Sequence, residues 1–61
     1  MRAATGHASY PGDVTESIGR DIADGRPFGP NYMGELMWPV DASYDAEANR
    51  TRVGFSLQGP A

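Results

Sequence analysis

Sixty-one residues hold one small domain at most, and a net charge of −3, from eight acids and five arginines without a lysine, makes a poor match for nucleic-acid phosphates. With no cysteine and one histidine, His7, the chain has neither a disulfide framework nor a Cys-based zinc site. Leu, Ile, Val and Phe number nine, less than the roughly one-fifth of residues that a self-sufficient core draws on, so stability at this size is expected to come from association.

Residues 1–12 read as a flexible tail of Ala, Gly, Ser, His and Pro without periodicity. Residues 13–24 carry the helix signal. Asp13 with Glu16 three residues on has the capping-box pattern, Val14, Ile18 and Ile22 form one apolar stripe, and Gly25 follows at the C′ position. Gly19 inside this stretch costs about 1 kcal/mol relative to Ala, so the helix needs something to pack against. Residues 25–39 are interrupted by Gly25, Pro27, Gly29, Pro30, Gly34 and Pro39 and fit no regular element. They nevertheless carry Phe28, Tyr32, Met33, Leu36, Met37 and Trp38. Large apolar side chains on an irregular backbone serve either as a makeshift core or as anchors for pockets on another protein, where aromatic residues and Met are enriched.

Residues 40–57 predict a β-hairpin. Thr51, Val53, Phe55 and Leu57 alternate with Arg50, Arg52, Gly54 and Ser56, which puts the arginines on the face opposite the apolar set. Val40–Tyr44 is the expected first strand and 45–49 the turn, with Asn49 suited to the left-handed conformation. Residues 58–61 read as a second tail. The expected fold class is therefore a small α+β or largely irregular unit over 13–57, marginally stable alone.

No apolar run approaches a membrane span of about 18 residues, and Met1 to Tyr10 has one arginine and no apolar stretch, unlike a secretory signal. The expected location is the cytoplasm. Arg, Ala and Gly in the absence of Lys fit the high-GC coding of many bacteria. No catalytic constellation is legible. His7 has no Cys partner, and Asp13, Glu16, Asp21 and Asp24 read as a solvated helix face. The chain is expected not to be an enzyme and to need no cofactor or metal. Asp24-Gly25 is a sequence prone to succinimide formation, because Gly leaves the following nitrogen unhindered.

Arg26-Pro27-Phe28-Gly29, followed by Pro39 and by Tyr44-Asp45 through Thr51-Arg52-Val53, resembles the leader region of ATP-grasp-modified ribosomal peptide precursors of the graspetide type. The resemblance spans residues 26–53. It implies a non-enzymatic substrate whose leader docks on an ATP-grasp ligase, with Pro27, Phe28 and Tyr44 as anchors. The ligase then joins Ser or Thr hydroxyls to Asp or Glu carboxylates. In that family the core follows the leader. Here residues 54–61 hold one hydroxyl, Ser56, and no acid, and the mixture of acids and hydroxyls precedes the motif. The candidate modification residues are therefore Thr15, Glu16, Ser17 and Asp24. The expected partner-binding set is Pro27, Phe28, Tyr32, Met33, Leu36, Met37, Trp38 and Tyr44, and the partner a larger protein rather than nucleic acid or membrane. The other reading is a small structural or accessory subunit of a larger assembly, such as a phage particle or a multi-subunit enzyme.

Overall fold

The computed structural model describes residues 4–60. In chain order it contains strand β1 (Gly6–Pro11), helix α1 (Thr15–Asp24), strand β2 (Trp38–Asp45) and strand β3 (Arg50–Ser56). The three strands form one sheet in the order β1-β3-β2, antiparallel at both junctions. β1 and β2 therefore run in the same direction with β3 between them, so that β1, α1 and β2 make a split β-α-β unit. The fold is α+β.

β3 is central because its residues serve both neighbours. Thr51, Val53 and Phe55 point to the helix side, where Thr51 and Val53 are fully buried. Across β1 they meet Tyr10, Ala8 and Gly6. Across β2 they meet Tyr44, Ala42 and Pro39. A bulge between Pro39 and Asp41 inserts Val40, the second fully apolar core residue, at 4% exposure. The helix packs against β2, while the Phe28 ring covers the same face of the sheet over β1 and β3. Its centroid lies 6.4 Å from that of Tyr10 and 6.5 Å from that of Phe55, both edge-to-face.

The hairpin at 40–57 is present, with β2 beginning two residues earlier than the expected Val40. Asp45 Oδ1 accepts the Glu47 amide at 3.0 Å and closes the turn, and Asn49 takes the left-handed conformation at φ 50°. The Tyr44 hydroxyl donates to Asn49 Oδ1 at 2.7 Å across the turn.

Two sequence expectations are corrected. Residues 6–11 are not a tail but an edge strand. With Gly6, Ala8 and Tyr10 as its inward residues, β1 has no β-branched side chain to signal a strand. It forms because β3 leaves a complete row of backbone donors and acceptors to be paired. The helix begins at Thr15 rather than Asp13, with Val14 at the N-cap and no side-chain cap. Asp13 acts one step earlier, its Oδ1 accepting both the Thr15 amide (3.1 Å) and the Thr15 hydroxyl (2.6 Å). The remaining helix features stand as read. Val14, Ile18 and Ile22 are half-buried on the inner side, and Gly25 at φ 64° ends the helix. Its amide bonds to the Ile22 carbonyl and that of Arg26 to Asp21, which is the Schellman pattern. Beyond β3, Gln58–Pro60 turns back: Gly59 is buried, and Pro60 lies where a Cβ on Gly25 would meet it at 3.4 Å. Residues 1–3 and 61 of the expected tails lie outside the described residues.

Candidate functional site

The connection from α1 to β2 holds six of the eight side chains expected to bind a partner, and the fold sorts them into two groups. Phe28 sits in the ring cluster on the sheet, and Met37 and Trp38 are half-buried where β2 begins. These three serve the fold's own packing. Tyr32, Met33 and Leu36 point outward, at 98%, 67% and 43% exposure. Pro27 is exposed ahead of the loop. Tyr44 lies on the sheet beside the 45–49 turn, away from this loop.

Gly and Pro leave this loop irregular without leaving it unorganised. Its base is pinned by a reciprocal pair of backbone bonds, Phe28 N–H to Met37 O at 2.7 Å and Met37 N–H to Phe28 O at 3.0 Å. Its tip is built around Asn31. The Asn31 side-chain oxygen accepts the amides of Met33 (2.9 Å) and Glu35 (3.0 Å). The Asn31 backbone donates to Glu35 O, and its carbonyl accepts from Gly34, both at 2.9 Å. Gly34 takes φ 80°, a conformation side-chain-bearing residues rarely adopt. The sequence signal for this arrangement is an Asn three residues before a Gly, an Asx-type turn that Asn favours. The loop therefore holds Tyr32, Met33 and Leu36 outside the packed body on a backbone closed by its own hydrogen bonds.

The candidate modification residues lie on or beside α1. Glu16 and Ser17 are exposed, and the Thr15 hydroxyl is engaged by Asp13. That hydrogen bond, followed by the one from the Thr15 amide, holds the Asp13 carboxyl below its ordinary range. Asp24 closes the helix 3.7 Å from the Arg26 guanidinium, with both side chains mostly exposed.

Among the described residues no hydrogen bond joins His7 to Ser9 or Ser43. Among the described residues no group of three or more His, Cys, Asp or Glu side chains is placed to hold a metal ion. No described helix is long and apolar enough to cross a membrane. Comparison with protein-family models, with curated proteins and with solved structures returned no match.

Proposed function

We propose that the protein is a non-enzymatic binding module that docks on a larger protein through the 29–36 loop. One observation carries the reading: Tyr32, almost wholly exposed, stands with Met33 and Leu36 on a loop closed by Asn31. A large apolar surface shown on a preordered backbone loses little entropy when it is buried, and Tyr is among the residues that dominate interface energies.

Among partners, the reading extends to an ATP-grasp ligase that takes this chain as a leader-bearing substrate, through the resemblance at Arg26-Pro27-Phe28-Gly29. That reading carries a cytoplasmic location with it, where ATP is supplied. The role of a small accessory subunit in a larger assembly is favoured by a separate observation. No residue of α1 is buried, so the Val14, Ile18 and Ile22 stripe keeps surface that an assembly could cover.

The test is site-specific photo-crosslinking in the native host, with benzoylphenylalanine in place of Tyr32 or, as a control, of the exposed Ala23. A discrete protein adduct from position 32 that is missing from position 23 is the expected result. Identical adducts from both positions would remove the loop from the interface. Co-expression with an ATP-grasp ligase decides between the partners. A mass lower by one water per bond formed supports the substrate role, and an unchanged mass supports the accessory one.

A further inference from the structure

The two faces of the sheet differ in kind. One is covered by α1 and Phe28. The other is open at its Arg50–Arg52 end and carries there Arg50 and Arg52 from β3, His7 and Ser9 from β1, and Ser43 from β2. The register places Ser9 and Ser43 on either side of Arg52, and together with Asp45 these side chains line a shallow depression of about 580 Å³. Arg50 is fixed in place, its Nε donating to Ser9 Oγ at 2.6 Å and its Nη2 to the Ser9 carbonyl at 3.1 Å. The Arg52 side chain is exposed and makes no hydrogen bond or ion pair with any described residue.

The carboxylates bordering this face are occupied by the backbone. Asp45 Oδ1 accepts the amides of Glu47 and Ala48. Asp41 Oδ1 accepts the amide of Gly54 at 3.2 Å. Neither is within ion-pair distance of a guanidinium; the ion pairs among the described residues are Arg20–Glu16 and Arg26–Asp24, both at the helix. In a chain of net charge −3, the two β3 arginines thus remain without a carboxylate partner on a concave, hydroxyl-lined surface.

We propose that this open face binds an acidic peptide in extended conformation, with carboxylates at alternate positions. Arg50 and Arg52 are two residues apart on one strand, so their Cα atoms are separated by roughly 6–7 Å, which is also the repeat of same-side residues in an extended peptide. Successive carboxylates can therefore meet successive guanidiniums, the fork of each matching a carboxylate in two hydrogen bonds. Ser9 and Ser43 supply neutral hydrogen-bonding groups beside the path. Asp45 stands cross-strand from Arg50 and Asp41 from Gly54 on the same face, and their charges oppose a nucleic-acid backbone, which brings a phosphate at every nucleotide. The site is separate from the 29–36 loop, which adjoins the opposite end of β2.

Fluorescence anisotropy of the full chain at low salt tests the proposal. The probe is a labelled heptapeptide of alternating Ser and Glu, compared with its Gln counterpart. The alternating Glu peptide is expected to bind, and the Gln peptide and the Arg52→Gln variant to weaken binding by about tenfold or more, the loss of a charge-assisted pair. Arg52 supports nothing in the fold, so that variant decides even where Arg50→Gln disturbs β1. The Tyr32→Ala/Leu36→Ala double variant is expected to bind the peptide as the parent does, which separates this site from the loop. Absence of binding, equal binding of the Gln peptide, an unchanged Arg52→Gln variant, or equal binding of an oligothymidylate would each overturn the proposal.

Discussion

The Thr51 hydroxyl shows how much of this fold rests on single atoms. It donates to the Gly12 carbonyl at 2.7 Å and accepts the Val14 amide at 3.0 Å, fastening the connection between β1 and α1 to the central strand from a fully buried position. Thr51→Val keeps the shape and strands both backbone groups, so a loss of about 2 kcal/mol is expected in chemical denaturation of the chain. Gly54 is constrained differently. A Cβ there would stand 2.6 Å from Asp41 Oδ1, in the space through which that carboxylate reaches the Gly54 amide. Gly54→Ala is expected to displace Asp41 and cost roughly 1–3 kcal/mol, readable as a lower denaturation midpoint and a shifted Gly54 amide resonance. Asp13 sets a pH dependence. The Thr15 hydroxyl and amide lower its pKa in the folded chain, so its contribution is fully present above the ordinary carboxylate range. That contribution fades as the pH falls through this range and is gone below the folded value. Thr15→Val should move the Asp13 titration upward, towards the ordinary value, in a carboxyl-detected NMR titration. An unmoved midpoint would show that the hydroxyl has no part in it.

At the scale of elements, the 28–37 loop and α1 are stabilised by opposite means. The loop has no apolar interior and depends on Asn31. Asn31→Ala removes the acceptor for two amides and is expected to raise hydrogen exchange at Met33 and Glu35 and weaken capture of the partner, whereas Asn31→Asp keeps the acceptor and should preserve both. The helix has sound punctuation but weak cover. Its C-terminus is secured by Gly25 in the left-handed conformation, and Gly25→Ala should cost about 1 kcal/mol. None of its residues is buried, and an isolated helix of ten residues is marginal in water. Its persistence therefore depends on Val14, Ile18 and Ile22 lying against the sheet.

For the whole molecule, compactness and core size disagree. The Cα radius of gyration of 11.0 Å is close to the roughly 10 Å of a packed domain of this length, yet among the described residues the buried aliphatic ones are only Val40 and Val53. Much of the interior is instead half-buried rings and small polar residues, including Thr51 and Ser56. Val53→Ala is expected to remove about 2 kcal/mol, a large share of what such a core provides, and to abolish a cooperative thermal transition in the isolated chain. An intact transition of Val53→Ala at high temperature would show that the sheet is stable without its central contact. A bound partner should raise the midpoint of the parent chain in proportion to its concentration over Kd, by mass action.

The hairpin, its turn at Asn49 and the Gly25 stop were legible in the sequence because each follows from local chemistry: side-chain alternation, an Asn suited to positive φ, and a glycine free of Cβ strain. The division of Arg50 and Arg52 from Thr51, Val53 and Phe55 was legible for the same reason. Other features were settled only by tertiary structure. β1 has no periodic apolar signal of its own and exists because β3 offers it a ladder. Phe28 became part of the packed body, and Tyr32 did not, because the Tyr10 and Phe55 rings both lie against Phe28 while the loop holds Tyr32 outside it. The same closure brought His7, Ser9 and Ser43 beside the arginines, His7 from 45 positions away from Arg52. Local pattern set α1 and the hairpin, and long-range backbone pairing added β1 and decided which side chains were left to meet a partner.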